Sequence, residues 1–317
     1  MILAAGLTPA WQQILTFDQV EIGEVNRAKQ VQHCASGKVL NVGRACHALG
    51  ASTVTLSPAG GVIGDAMAAE FQRDGLTARW IRTSGPTRTC TTLVDSSSGV
   101  VTELVENSAR LSEGELEAFL QAYRPLAVDA EVTVLSGSLP PHTPVNFYSQ
   151  LTSAASGRVI LDARGPELLA ALPLRPLLVK PNRAELEQTL GRSFDTEQDL
   201  LAGMDELIQR GAQWVLVTHG SEPVWLRSAS VCLSYAPRPL DRLVNPIGCG
   251  DCLAAGVAAA LARGLTVPDA VPLGIAAARD NARSLLPARL NRGRVDRDAA
   301  DHSMRAIPHP KSAADES

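Results

Sequence analysis

The residues best suited to chemistry lie in one stretch, Asn245-Pro246-Ile247-Gly248-Cys249-Gly250-Asp251-Cys252-Leu253. Its first half is a loop of small residues. Its second half runs on to Leu261, with Leu253, Val257 and Leu261 four apart on one helical face. Asp251 falls where loop becomes helix. Gly248 and Gly250 let the backbone turn tightly and leave its amides uncovered. Unpaired amides at a helix N-terminus favour an anion. A carboxylate beside such an anion hole suits removal of a hydroxyl proton while the hole holds a phosphoryl group. A plainer reading makes Asp251 an N-cap and the glycines a turn. The rest of the chain decides between the two.

At 317 residues the chain forms one large α/β domain or two smaller ones. Its 45% hydrophobic and 20% charged content is that of an ordinary globular protein, and 4% aromatics leave the core to Leu, Val, Ile and Ala. A net charge of −4 without a long basic run argues against a nucleic-acid partner, while leaving room for a local basic pocket for a phosphorylated metabolite. Only four of the 29 basic residues are lysines, so Lys38 and Lys180 stand out where they fall inside motifs. Met1–Gly6 lacks the positive segment of a signal peptide, and no apolar run approaches the ~20 residues of a membrane span. A cytoplasmic location with no membrane partner is expected, and there the six cysteines stay reduced. Cys249-x-x-Cys252 has no second pair to complete a four-ligand zinc site and is read as two small packing residues.

These residues need elements to position them. Residues 1–7 read as a buried strand, broken by Thr8-Pro9-Ala10. Residues 14–27 have β character around a turn at Ile22-Gly23-Glu24, and 31–35 continue it. Val39, Val42, Ala45, Cys46 and Leu49 recur at helical spacing, with Gly50 as the stop. A strand over 53–58 and a helix to about 74 follow. Residues 89–94 and 100–105 flank Asp95-Ser96-Ser97-Ser98-Gly99 as a hairpin. Beyond Leu111 the order is regular: helices over 113–122, 144–155, 185–190 and 196–210 alternate with strands over 132–135, 159–162, 177–179 and 214–217. Short strands after Val231, a last long helix over 266–286 and an Arg/Asp-rich surface stretch over 289–298 complete the chain.

Such alternation, with continuously apolar strands, predicts a mostly parallel sheet covered on both faces. In such sheets the site lies beyond the C-terminal strand ends, where Ser136-Gly137-Ser138, Asp162, Lys180-Pro181-Asn182 and Thr218-His219-Gly220 fall. The expected organisation is a main α/β body over 1–11, 35–85 and 107–300. A small β lid takes 12–34 and 86–106, and 301–317 form a polar tail.

Five ordered motifs resemble the PfkB (ribokinase-like) carbohydrate kinases, in their phosphosugar branch of 1-phosphofructokinase and tagatose-6-phosphate kinase type. They are Gly23-Glu24-Val25-Asn26-Arg27, Ser36-Gly37-Lys38 with Asn41 and Arg44, Ser136-Gly137-Ser138-Leu139-Pro140-Pro141, Lys180-Pro181-Asn182-Arg183-Ala184-Glu185, and Gly248-Cys249-Gly250-Asp251. The resemblance spans about residues 2–286. It implies a three-layer α/β/α fold with a β lid, and ATP with Mg²⁺ as cosubstrate and metal. The reaction it implies is transfer of the ATP γ-phosphate to a sugar-phosphate hydroxyl. Asp251 would be the general base, with the amides of Gly248, Cys249 and Gly250 as the anion hole. Lys180, Asn182, Glu185, Thr218, Gly220 and Asn281 would serve the nucleotide, and Asn182 and Glu185 would order Mg²⁺ through water. Gln12, Arg27, Gly37, Lys38, Asn41, Arg88 and Ser138 would hold the acceptor, the arginines and Lys38 meeting its own phosphate. An exposed lid sheet could pair with a second copy in a homodimer.

Two departures lie on the acceptor side. Gln12 stands where the branch carries an Asp that bonds sugar hydroxyls, and Thr89-Cys90 replaces the Asn expected after Arg88. An unusual acceptor preference follows. A kinase of an unphosphorylated sugar or nucleoside, and a non-catalytic sugar or nucleotide sensor, are the other readings. The Gly23–Arg27 motif and Arg88 argue against the first, and intact Asp251 against the second.

Overall fold

The computed structural model describes residues 1–300 and the two-residue strand Ile307–Pro308. The strands are β1 (Ile2–Ala5), β2 (Ala10–Phe17), β3 (Gln30–Ser36), β4 (Thr53–Gly60), β5 (Ala78–Thr83), β6 (Arg88–Asp95), β7 (Val101–Val105), β8 (Val132–Ser136), β9 (Arg158–Asp162), β10 (Leu178–Val179), β11 (Trp214–Val217), β12 (Val224–Arg227), β13 (Cys232–Tyr235) and β14 (Ile307–Pro308). The helices are α1 (Lys38–Ala48), α2 (Gly61–Arg73), α3 (Glu113–Asp129), α4 (Phe147–Ala154), α5 (Gly165–Ala171), α6 (Arg183–Leu190), α7 (Glu197–Gln209), α8 (Cys249–Ala262), α9 (Val267–Ala282) and α10 (Arg292–Ala299).

Ten strands make one sheet in the order β14-β13-β12-β11-β10-β9-β8-β1-β4-β5. From β11 to β5 neighbours run parallel, and β12 to β14 add an antiparallel edge. Strand side chains alternate between two cores, as the pleat requires. Ile2, Ala4, Val132 and Val134 join α1, α2, α8 and α9 on one face. Leu3, Ala5, Leu135 and Leu161 join α3 to α7 on the other. This is the three-layer α/β/α arrangement expected from the alternation of strands and helices. A second sheet, β3-β2-β6-β7, stands apart from the first.

Several elements differ from the sequence reading. The β character expected over 14–27 stops at Phe17. The next residues form an irregular connection, held where Asp95 Oδ2 accepts Val20 N–H (2.8 Å) and Asn26 bonds across to Glu21. Strand β5 was not foreseen; it takes its pairing from β4. Helix α3 runs through Pro125 to Asp129, because Leu116, Phe119, Leu120, Tyr123 and Ala127 keep one buried face beyond it. Strand β12 precedes Val231, and α9 ends at Ala282 rather than Leu286. The stretch read as surface over 289–298 contains α10, tethered by Arg294 to the fully buried Asp280 (2.6 Å) and by Asp298 to Arg279 (2.9 Å). The tail expected over 301–317 lies, apart from β14, outside the described residues.

Helix α8 carries Asp251 and is buried from that residue to Leu261. It lies against α9 at a close crossing: a Cβ on Gly256 would stand 2.7 Å from Gly274 Cα, and one on Gly274 2.8 Å from Leu253 O. Gly256→Ala is expected to cost about 1–3 kcal/mol through overpacking. Thermal unfolding checks this, and a parental melting temperature would mean that the helix pair accommodates a methyl group.

Candidate active site

Four parallel strands end on one edge of the main sheet. Ser136 closes β8, Asp162 closes β9, Lys180 follows β10 and Thr218 follows β11. The small-residue loop enters from the side, with Gly248 in the left-handed region (φ 83°) as the N-cap of α8. A Cβ there would lie 3.0 Å from Pro287 and 3.3 Å from Asn41 Nδ2, so this close approach also requires glycine.

The loop is locked from behind. Asn245 Oδ1 accepts Ile247 N–H (3.0 Å), and Asn245 Nδ2 donates to Leu285 O (2.8 Å). Asn281, expected at an adenine pocket, is fully buried. It donates to Ile247 O (2.9 Å) and Cys249 Sγ (3.3 Å), and its Oδ1 accepts Ala288 N–H (2.7 Å). Its amide is thus spent on holding the loop. The Cys249 amide turns back to Pro246 O (3.2 Å), while Gly250 opens toward Lys180, whose Nζ would lie 3.4 Å from a Cβ there. All six cysteines are free thiols, and burial pushes the Cys249 thiol up to about 11, which keeps it neutral.

Asp251 is buried, and its Oδ2 accepts Asn41 Nδ2 at 2.7 Å. Asn41 is oriented in turn by Ser36, whose Oγ lies 3.0 Å from Asn41 Oδ1. Burial raises the Asp251 carboxyl pKa and the charge of Asp162 raises it further. Lys38, the Asn41 hydrogen bond and Lys180 oppose this without cancelling it. A raised but ionisable carboxylate, held by an amide donor, is suited to accept a proton.

Beside it lies an ion cluster centred on Asp162. Asp162 has no exposed surface and sits between two ammonium groups, Lys38 on Oδ1 (3.0 Å) and Lys180 on Oδ2 (3.3 Å). Lys38 also reaches Glu185 Oε1 (2.9 Å). Burial alone would raise the Asp162 pKa; Lys180 and Lys38 outweigh it and hold the carboxyl below its ordinary value. Burial would likewise lower the Lys38 pKa, and Asp162 and Glu185 instead raise it. The sequence had placed Asp162 at a strand end without a role. The available signal was an acid closing an otherwise apolar buried strand on the sheet's C-terminal edge.

Asn182 and Glu185 form a capping box at the start of α6. Glu185 N–H donates to Asn182 Oδ1 (2.7 Å) and Asn182 N–H to Glu185 Oε2 (2.9 Å). Asn182 is thus the N-cap of α6, and the box leaves Glu185 Oε1 turned to Lys38. Among the described residues no three His, Cys, Asp or Glu converge as a metal cage. Two carboxylates bridged by an ammonium fit a hydrated hard cation that arrives with nucleotide phosphates, not one caged by protein. Thr218 bridges to Asn182 and its carbonyl accepts Arg183 N–H (2.9 Å), while Gly220 is exposed in the turn beyond (φ 55°).

The other acceptor-side residues are spread more widely. Gly37 (φ 89°) packs where a Cβ would stand 2.9 Å from Thr8 O and from Ala10 N. Ser138 is half-buried and its carbonyl accepts Thr8 Oγ1 (3.2 Å). Gln12 is buried and donates to Thr92 Oγ1 (2.6 Å). Arg88 fans its guanidinium over three carbonyls, Thr8 O (3.2 Å), Pro9 O (3.4 Å) and Glu106 O (3.0 Å), so it braces the second sheet against the β1–β2 corner. Arg27 is exposed on the connection between β2 and β3.

At the C-terminal edge of the mostly parallel sheet, a carboxylate at a helix N-terminus thus stands with lysines, an arrangement able to hold a phosphate and accept a proton. Residues 11–284 match the pfkB family carbohydrate kinase model, and the chain belongs to that family. Among solved structures, phosphofructokinase-2 from Escherichia coli is similar at 25% identity and a TM-score of 0.85, over 94% of this chain and 98% of that one. A possible 1-phosphofructokinase from Thermotoga maritima shares the fold at 18% identity, with a TM-score of 0.88 over 98% and 99% of the two chains. Ribokinase from Arabidopsis thaliana, solved with ribose and ATP, shares it at 20% identity and a TM-score of 0.74, over 95% and 98%. The protein is a sugar kinase of this family. No helix among the described residues is long and apolar enough to cross a membrane.

Asp162→Asn would leave two lysines at one carboxamide. Removing one partner of a buried ion cluster is expected to cost about 3 kcal/mol or more. A depressed carboxyl pKa contributes stability above the unfolded-state pKa and loses it as pH falls through the folded value. The gap between parent and variant in urea unfolding should therefore narrow on acidification. A gap that is constant with pH would remove the ionic origin.

Proposed function

We propose that the protein transfers the γ-phosphoryl group of MgATP to a hydroxyl of a ketohexose phosphate, of the fructose-1-phosphate or tagatose-6-phosphate type. One observation carries this reading: the Asp251 carboxylate stands at the N-terminus of α8, held by Asn41 and beside the Lys38–Asp162–Lys180 cluster. The acceptor oxygen attacks the γ-phosphorus, the bond to the ADP oxygen breaks, and the hydroxyl proton passes to Asp251. The amides of Gly248 and Gly250 and the Lys180 ammonium stabilise charge on the transferring group, so that catalysis is chiefly positioning and electrostatics. Asn182 and Glu185 would hold Mg²⁺ through water, and the ion would supply neutralisation of phosphate charge. Lys38 and Lys180 are held in place by Asp162 until phosphate oxygens share them. For the acceptor, the phosphosugar reading is supported by the likeness of the Gly23–Arg27 motif to that branch. The E. coli phosphofructokinase-2 has been solved with fructose-6-phosphate.

A coupled ADP-release screen over fructose-1-phosphate, tagatose-6-phosphate, fructose-6-phosphate and unphosphorylated sugars should select a ketohexose phosphate. Turnover of unphosphorylated sugars alone would overturn the branch assignment. Asp251→Asn should lower kcat by about 100-fold or more, the usual worth of a general base, with ATP binding retained. A variant turning over at the parental rate would remove Asp251 from this role.

The pH profile supplies a separate check. Asp251 must be ionised to accept the proton, and its pKa is raised by burial and by Asp162. Activity should therefore fall on acidification with an acid limb above the ordinary aspartate value of about 3.9. A limb at or below that value would contradict the assignment.

A further inference from the structure

The second sheet presents one face to the body. Cross-strand partners share a face, so the register of β2, β3, β6 and β7 fixes its members. Gln12, Ile14, Cys34, Ser36, Cys90 and Thr92 lie on it, and all are buried. It is the face turned to the base, because Ser36 contacts Asn41 and Asn41 holds Asp251. Among its strand positions only two carry formal charge, Arg88 on β6 and Glu103 on β7.

Glu103 is paired directly with Thr92, the residue to which Gln12 donates its amide proton. Gln12 and Glu103 therefore flank one threonine on one face. Gln12 is neutral, buried and committed to Thr92 Oγ1 at 2.6 Å, so it is poorly placed to accept from several hydroxyls. Glu103 is exposed on the edge strand, with no hydrogen bond among the described residues to occupy its carboxylate. Crowding by the surrounding chain raises its pKa, the charge of Asp251 raises it further, and Arg88 opposes both. Glu103 thus lies on the face turned to Asp251, near enough for the two negative charges to act on each other. Hydroxyl donors relieve that arrangement, whereas a phosphate group would worsen it.

We infer that Glu103 is a specificity-determining residue that accepts hydrogen bonds from free hydroxyls of the acceptor, supplying from β7 the carboxylate that Gln12 does not supply from β2. This rests on the kinase reading above. It makes the acceptor a polyol chain whose hydroxyl-bearing part lies between Glu103 and Asp251.

The experiment measures steady-state kinetics of Glu103→Gln, Glu103→Ala and Glu103→Asp with the best acceptor among the three ketohexose phosphates. For Gln and Ala the acceptor KM is expected to rise about 10- to 100-fold, as when a charged hydrogen-bond partner is lost. The KM for ATP and the melting temperature should stay parental, and Asp should recover part of the loss. A parental acceptor KM in both Glu103→Gln and Glu103→Ala would overturn the inference while leaving the kinase reading intact. A parental protein that releases no ADP with any acceptor would overturn the kinase reading first, and this inference with it.

Discussion

A carboxylate with no exposed surface, Asp162, sits at the end of a central strand with an ammonium group on each oxygen. An isolated charge there would be costly. Its presence therefore requires Lys38 from the start of α1 and Lys180 from the end of β10 to converge on it. Through Lys38 it also reaches Glu185 and so the first turn of α6. Segments far apart in sequence, at Lys38 and at Asp162, are fixed by this requirement to one point with the Lys180–Glu185 stretch. The positive charge that a phosphorylated substrate needs is thereby assembled beforehand, at a defined place on the sheet edge.

The base is placed by packing more than by charge. Helix α8 is apolar all round and buried, so it cannot shift toward solvent. Its closeness to α9 depends on Gly256 and Gly274 facing one another. Asn245 and Asn281 tie the preceding loop to the end of α9. Asp251 then has one direction in which to point, and Asn41 meets it there. The burial that fixes the position also raises the pKa, so one constraint sets both geometry and basicity.

The second sheet contributes in a different way. Arg88 spends its guanidinium on carbonyls at the β1–β2 corner, and Asp95 closes the β6–β7 hairpin by accepting Ser97 and Ser98 amides (2.9 and 3.0 Å). The Arg88 contacts tie the sheet to the main body, and the Asp95 contacts shape its hairpin. At its strand positions the inner face is apolar or neutral except at Arg88 and Glu103.

Much of this was legible in the chain itself. Strand and helix order, the Gly248–Asp251 turn and the hairpin at Asp95–Gly99 are set by interactions between residues a few positions apart, and such interactions leave a pattern in sequence. What only the tertiary structure decided depends on register and on long-range partners. Edge strand β5 exists because β4 offers it a ladder. Asn281 serves the loop because Ala288 and Ile247 come to it. Arg88 braces carbonyls brought near by another strand. Asp162 acquires two lysines from separate elements, and Glu103 acquires its face from pairing with Thr92. None of these has a local signature, because each is fixed by where distant backbone segments come to lie.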